Sequence, residues 1–132
     1  MVKILIVDDE SFMRDLIRKA LKMISYSDIV EAVNGEEAIR KFKENKPDVV
    51  FLDLKLPDMH GGKVLKVFHK NKKINSKCKI IIVSTVAQEE MGQNNQLTLK
   101  EAKELGAVSW VIKPITPEKI IIAVREALNK LN

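Results

Sequence analysis

Hydrophobic residues along the chain alternate between short continuous runs and longer segments in which they recur every three or four positions. The short runs are bounded by polar or turn-forming residues and therefore predict five β-strands. These strands occupy 3–7, 28–33, 48–54, 79–84 and 108–112, and the apolar runs of the last three predict burial on both faces. Strands that alternate with helices are typical of a parallel sheet covered by helices on both sides.

Five helices are predicted from the segments with helical spacing. The first covers 12–24, and the third covers about 62–72. The second begins at a capping box formed by Asn34 and Glu37 and ends before Pro47, because the residue before a proline is disfavoured in a helix. Each of these helices separates two predicted strands, as parallel pairing requires.

The last two helices are marked by N-cap residues. The fourth begins at Thr98 and ends at Gly106, and the fifth begins with Thr116 followed by Pro117 and runs to the end of the chain. The polar, turn-prone segment 86–97 is predicted as an extended loop. The result is an α/β fold with a doubly wound, five-stranded parallel sheet. In such folds ligands bind beyond the carboxyl ends of the strands.

Composition favours a single globular domain. The 132 residues suit one domain over 1–132, and 45% hydrophobic with 31% charged residues is typical of globular proteins. No apolar run approaches the roughly 20 residues that a membrane span needs, and the first residues lack the features of a signal peptide. We therefore expect no membrane association and a cytoplasmic location.

Net charge and cysteine content argue against two further classes of site. The net charge is +5, but the lysines are spread along every predicted helix, which favours a solvated surface over a nucleic-acid site. Cys78 is the single cysteine, so an internal disulfide is excluded. With only His60 and His69 beside it, a zinc cluster is not expected.

The candidate chemistry lies at the carboxyl ends of the predicted strands. A buried strand that ends in adjacent carboxylates needs a cation or a proton to offset their repulsion. Carboxylate oxygens are ligands that Mg²⁺ prefers, and hydroxyl and ammonium groups suit a phosphoryl group. The residues concerned are Asp8, Asp9 and Glu10 after the first strand, Asp53 at the end of the third, Ser84 and Thr85 after the fourth, and Lys113 after the fifth.

Together these residues predict the transfer of a phosphoryl group to Asp53. Its carboxylate would act as the nucleophile, and Mg²⁺ held by Asp8, Asp9 and Asp53 would face the phosphoryl oxygens. Lys113 and the Ser84 hydroxyl would face the same oxygens. Singly, each residue has an ordinary explanation, such as a solvated turn or a surface lysine. Their occurrence in this order, each at a strand end, favours a shared site.

Four segments resemble the receiver domain of two-component response regulators, in its stand-alone CheY-like form. They are "ILIVDDES", "DVVFLDLKLPDMHG", "IIIVST" and "LGAVSWVIKPI". The resemblance covers nearly the whole chain and implies a flavodoxin-like sheet with strand order 2-1-3-4-5. It also implies a histidine kinase as the phosphoryl donor, a downstream protein target and, as the preferred process, chemotaxis.

The resemblance assigns a role to each acidic residue of the candidate site. It implies that Asp53 accepts the phosphoryl group and takes part in Mg²⁺ binding. Asp9 would bind Mg²⁺ directly and Asp8 through water, and the main-chain carbonyl of Lys55 would add a further ligand.

The resemblance also implies a conformational switch. Ser84 and Lys113 would bind the phosphoryl group, and the Lys113–Pro114 bond would be cis. Phosphorylation would draw Ser84 inward, and Trp110 would follow, which changes the surface of the fourth helix, fifth strand and fifth helix. Ile122 on that surface would offer a partner an apolar contact. Plain core packing is the alternative role for Trp110.

Other classes of protein fit these residues less well. A Mg²⁺-dependent aspartyl phosphatase needs a second aspartate two residues after its nucleophile, where this chain has Lys55, so no enzyme is expected. The turn "VDDES" lacks the glycines of a nucleotide-binding loop. A phosphorelay intermediate, which passes the phosphoryl group to another histidine, stays open because it shares the same motifs. A monomer is expected, with dimerisation on phosphorylation left open.

Overall fold

Five parallel strands form the sheet at the centre of the computed structural model, which describes residues 1–71, 77–85 and 97–129. The strands are β1 (Ile4–Val7), β2 (Ile29–Ala32), β3 (Val49–Asp53), β4 (Lys79–Ser84) and β5 (Ala107–Ile112). They lie in the order β2-β1-β3-β4-β5, and every neighbouring pair is parallel. This order confirms the predicted doubly wound fold.

Helices follow each strand along the chain. They are α1 (Ser11–Met23), α2 (Gly35–Asn45), α3 (Gly61–Lys70), α4 (Leu99–Glu104) and α5 (Pro117–Asn129). Their bounds differ by a few residues at most from the predicted ranges. Residue 72 of the predicted third helix and residues 130–132 of the predicted fifth helix lie outside the described residues. None of the described helices has both the length and the apolar character needed to cross a membrane.

The predicted N-caps account for most of the helix starts. A side-chain oxygen that accepts a hydrogen bond from a first-turn amide satisfies a group that has no partner within the helix. Three predicted caps do so: Asn34 accepts from Glu37 N at 2.8 Å, Thr98 from Glu101 N at 3.0 Å, and Thr116 from Lys119 N at 3.3 Å. Gly106, just after α4, has φ +103°, a conformation that favours glycine at a helix C-terminus.

Alternate residues of the inner strands pack into two hydrophobic cores on opposite faces of the sheet. Ile4 and Ile6 of β1 belong to the core under α1 and α5. Leu5 and Val7 belong to the core under α2, α3 and α4, where the rings of Phe42 and Phe68 stack with centroids 4.2 Å apart. The period of two in a strand produces this division.

The prediction that β5 is buried on both faces is wrong. It is one of the two edge strands and pairs only with β4. Its residues Val108, Ser109 and Trp110 are half-buried, and Ile112 is exposed. A continuous apolar run does not show whether a strand has one neighbour or two. The burial predicted for β5 from its apolar run was therefore too high. The predictions for β3 and β4 are confirmed, and β1 is also fully buried.

The loop predicted at 86–97 falls almost entirely outside the described residues, which resume at Leu97. The Leu97 side chain is buried in the core beneath α2, α3 and α4.

Candidate functional site

Asp8 and Asp53 lie side by side at the carboxyl edge of the sheet. Val7 pairs with Leu52 in the register of β1 and β3, so the residues that follow are neighbours. Both are buried, with 1% of Asp8 and 4% of Asp53 exposed. Lys113, which follows β5, places its Nζ 3.5 Å from Asp8 Oδ2 and 3.5 Å from Asp53 Oδ2. The structure thus brings together three of the residues predicted from the strand ends.

Burial and neighbouring charges change the proton affinities of Asp53 and Lys113. Burial and then the charge of Asp8 raise the pKa of Asp53 to about 6. Burial alone would lower the pKa of Lys113, but the charges of Asp53 and Asp8 outweigh it and raise that pKa above its usual value. Because one lysine faces two buried carboxylates, the site favours a further cation.

The turn after β1 supplies additional oxygen atoms. Asp8, Asp9 and Glu10 each offer a carboxylate oxygen, and these atoms lie within 4.8 Å of one another. Asp8 Oδ1 accepts a hydrogen bond from Glu10 N at 2.9 Å, whereas the buried Asp8 Oδ2 has the ion pair with Lys113 but no hydrogen bond among the described residues. A buried carboxylate oxygen beside two exposed carboxylates is a donor set that fits Mg²⁺.

The loop after β3 folds tightly against the end of that strand. Lys55 N donates to Asp53 Oδ1 at 3.2 Å, and Gly61 N donates to Leu54 O at 2.8 Å. A Cβ atom at Gly61 would lie 2.5 Å from Asp53 O, so only glycine fits there. The Lys55 main chain is therefore held beside Asp53, and its side chain is exposed.

Two polar residues of this loop, Asp58 and His60, stabilise the starts of neighbouring helices, and this was not predicted from the sequence. Asp58 accepts hydrogen bonds from Gly35 N at 2.8 Å and Glu36 N at 2.9 Å, which lower the pKa of Asp58. It joins the loop to the N-terminus of α2, a contact between distant segments that local patterns do not reveal. His60 Nδ1 accepts from Gly62 N at 2.9 Å as the N-cap of α3. Its position just before the helix start was a usable sequence signal.

Ser84 ends β4 beside the acidic residues. It is buried, and its main-chain oxygen accepts a hydrogen bond from Lys113 N at 2.8 Å. Thr85, the next residue, is exposed. The Lys113–Pro114 bond is cis, as the resemblance implies. All the predicted strand-end residues therefore lie at the same edge of the sheet.

Trp110 lies on β5, opposite Ile82 of β4 and two residues before Ile112, which is opposite Ser84. It is half-buried against the core beneath α2, α3 and α4. Its indole Nε1 is buried and lacks a hydrogen-bond partner within the described ranges. Trp110 thus lies on an edge strand of the sheet, directly beside the strand that carries Ser84.

Comparison with known proteins agrees with this fold and identifies the family. Residues 4–125 match the model of the response regulator receiver domain, and the chain belongs to this family. It is 36% identical over 130 residues to the chemotaxis protein CheY of Thermotoga maritima, covering 98% of this chain and 97% of the relative.

Solved structures show the same similarity. The chemotaxis response regulator CheY4 of Vibrio cholerae has a TM-score of 0.81 and 26% identity, covering 96% of this chain and 98% of that one. CheY in the CheX-CheY-BeF3-Mg complex of Borrelia burgdorferi has a TM-score of 0.81 and 25% identity, covering 96% of this chain and 89% of the other. The chain is therefore a receiver domain closely related to CheY.

Proposed function

We propose that this chain acts over 1–132 as a CheY-like response regulator that takes a phosphoryl group from a histidine kinase onto Asp53 in the cytoplasm. The observation that carries the proposal is the pair of buried carboxylates, Asp8 and Asp53, with Lys113 3.5 Å from each. An Asp53 oxygen attacks phosphorus, and the bond from phosphorus to the kinase imidazole breaks. The imidazole nitrogen keeps the electron pair and takes up a proton from water, and the products are an acyl phosphate and a neutral histidine.

The residues around Asp53 support nucleophilic attack. With the pKa of Asp53 at about 6, most molecules hold it as a carboxylate at neutral pH. Lys55 N donates to Oδ1, which fixes the orientation of the carboxylate. Asp8 through water, Asp9, Asp53 and the Lys55 carbonyl would hold Mg²⁺, which when bound supplies positive charge next to the phosphoryl oxygens. Lys113 and the Ser84 hydroxyl would meet the remaining charge.

The contact between Ser84 and the phosphoryl group would couple phosphorylation to a protein-binding surface. An acyl phosphate on Asp53 carries about −1.5 to −2 charges in place of the −1 of the free carboxylate, and Ser84 would move toward it with Trp110 following. Trp110 lines a groove of about 370 Å³ between β5 and α5, together with Ile112, Lys119 and Ile122. Ile122 is 56% exposed. We expect this surface to bind a downstream protein, as CheY in the Borrelia structure is in complex with CheX, and chemotaxis is the process that the similarity to CheY favours.

The proposal is tested with a small phosphodonor. Wild type, Asp53→Ala and Asp58→Asn are incubated with acetyl phosphate, with and without Mg²⁺, and followed by intact mass and Trp110 fluorescence. We expect one phosphoryl adduct that needs both Mg²⁺ and Asp53, with a change in Trp110 emission. Asp58→Asn is the matched control, since it removes an exposed carboxylate in the same loop.

Each outcome separates one part of the proposal. No adduct on wild type, or an adduct that persists in Asp53→Ala, contradicts the assignment of Asp53. An adduct without a fluorescence change supports Asp53 and rejects Trp110 as part of the switch. Transfer of the adduct to a second histidine protein would instead favour a phosphorelay intermediate.

A further inference from the structure

Arg14 connects the acidic turn to β2, a strand that pairs with β1. It lies in the first part of α1, and only 14% of its side chain is exposed. Its Nη1 donates to the main-chain oxygen of Asp8 at 2.9 Å, and its Nε donates to Glu31 Oε1 at 2.9 Å. One guanidinium therefore joins α1, the end of β1 and strand β2.

Glu31 holds the guanidinium of Arg14 in place. Its second oxygen, Oε2, accepts from Arg18 Nη1 at 2.6 Å, so the carboxylate lies between two arginines. Arg18 also forms an ion pair with Asp15, and the Glu31 main-chain oxygen accepts from Lys41. Because every one of these groups is fixed by a neighbour, Arg14 has little freedom to move.

The bond to Asp8 is made where β1 leaves the sheet. Asp8 N still donates to Ala32 O at 3.1 Å, as a residue of the strand would. Arg14 donates a hydrogen bond to the Asp8 main-chain oxygen, and Asp8 Oδ1 accepts one from Glu10 N at 2.9 Å. Two hydrogen bonds therefore hold the turn: one within it, to the Asp8 side chain, and one from Arg14 on α1 to the Asp8 main chain.

We propose that Arg14 is a positioning residue for the metal site. By fixing the Asp8 carbonyl, it sets the direction in which the carboxylates of Asp8 and Asp9 leave the turn. This inference rests on the proposed function, in which those carboxylates hold Mg²⁺. Residues that orient metal ligands without touching the metal commonly change metal affinity by about 10- to 100-fold.

The chemistry of the contact requires arginine. Nε and Nη1 of one rigid plane donate to two acceptors on different strands, whereas lysine carries its donors on one flexible ammonium. Glu31 also offsets the positive charge of Arg14, so the guanidinium fixes the turn without competing with Mg²⁺ for the acidic residues. Arg14→Lys therefore keeps the charge and loses the bridge.

The test compares Arg14 with Arg18, which shares the ion pair to Glu31 and makes no contact with Asp8 among the described interactions. Mg²⁺ affinity is measured by calorimetry, without a phosphodonor, on wild type, Arg14→Lys, Arg14→Met and the control Arg18→Met. We expect both Arg14 variants to weaken Mg²⁺ binding roughly tenfold, and Arg18→Met to stay within about twofold of wild type.

A second measurement needs no metal and reports the turn itself. Amide hydrogen exchange of Glu10, whose N–H is held by Asp8 Oδ1, is followed by NMR. We expect exchange to accelerate in both Arg14 variants and to be unchanged in Arg18→Met. Denaturant unfolding of each variant identifies any general loss of stability, which would speed exchange throughout the sheet.

The outcomes distinguish this inference from the proposed function. If wild type binds Mg²⁺ and accepts a phosphoryl group while the Arg14 variants match it in affinity and exchange, the inference alone is wrong. Equal weakening in Arg14→Met and Arg18→Met also overturns it, because the effect then comes from the shared ion pair. If wild type binds no Mg²⁺, the proposed metal site fails and the inference falls with it.

Discussion

The buried carboxylate of Asp53 lowers the free energy of unfolding at neutral pH. Its pKa is raised from 3.8 to about 6 by burial and by the charge of Asp8. A carboxyl whose pKa is raised by folding binds its proton more tightly in the folded protein than in the unfolded chain. By linkage, its contribution makes the protein less stable as pH rises from about 4 through about 6.

Removing this charge should stabilise the metal-free protein. In the presence of a chelator, we expect Asp53→Asn to increase the free energy of unfolding by about 1–3 kcal/mol at neutral pH. The gain should shrink as the pH falls toward 4, because wild-type Asp53 then becomes neutral as well. Urea denaturation of both proteins across this pH range measures the effect.

Asp58→Asn provides a control of opposite sign. Its hydrogen bonds from Gly35 and Glu36 lower the pKa of Asp58, so its carboxylate contributes stability that is lost as the pH falls through that lowered pKa. This variant should be less stable than wild type at neutral pH and approach it on acidification. If Asp53→Asn is also less stable than wild type at neutral pH, burial and the charge of Asp8 do not destabilise the Asp53 carboxylate.

The sequence predicted the residues at the strand ends but not their supports. Asp8, Asp53, Ser84 and Lys113 could be found because parallel strands deliver their carboxyl ends to one edge. The contacts of Asp58 with α2 and of Arg14 with Glu31 depend on side chains from segments distant in sequence. Such pairs follow from the packed structure, and no local pattern indicates them.

Helix α3 differs from the other helices in the charges it exposes. Its exposed lysines are Lys63, Lys66 and Lys70, and the helix contains no acidic residue. No ion pair of these three lysines is found in the described part of the chain. Lysines occur in every helix, but in the other four helices acidic residues accompany them. Like charges three and four positions apart destabilise a helix.

A single substitution should relieve this repulsion. Lys66→Glu places a carboxylate three residues after Lys63 and four before Lys70, and each new pair is worth about 0.2–0.5 kcal/mol. We expect the free energy of unfolding to rise by about 0.5–1 kcal/mol at low salt, and less in Lys66→Gln, which only removes a charge. The gain should decline at high salt because of screening. A gain that is unaffected by salt would argue against an electrostatic cause.

Elements were predicted well where a local interaction defines their ends. Asn34, Thr98 and Thr116 cap helices because their side chains bond amides three residues later, a pattern visible in the sequence. The burial of β5 was predicted wrongly, since its place at the sheet edge is set by the order of all five strands.

At the scale of the whole molecule, metal binding and folding are linked. A ligand that binds the folded protein alone raises the free energy of unfolding by about 2.7 kcal/mol at 100 times its dissociation constant. We expect Mg²⁺ to raise the melting temperature of wild type in a concentration-dependent way. Asp9→Asn, which changes an exposed residue of the acidic turn, should show a much smaller rise.

Thermal denaturation over a series of Mg²⁺ concentrations checks this expectation. Asp15→Asn serves as a control, since it removes a carboxylate on α1 outside the acidic turn. An equal rise in all three proteins would mean that Mg²⁺ acts on the general surface charge rather than at the proposed site.

The positions of the strands along the chain determine when each residue of the site is synthesised. A nascent chain that has released only its first three strands already has the segments that place Asp8 beside Asp53, in adjacent strands. Lys113, the cation between them, is separated from Asp53 by 60 residues and leaves the ribosome much later. We therefore expect any pairing of β1 with β3 in that interval to rely on protons or dissolved cations to offset the repulsion of the two carboxylates.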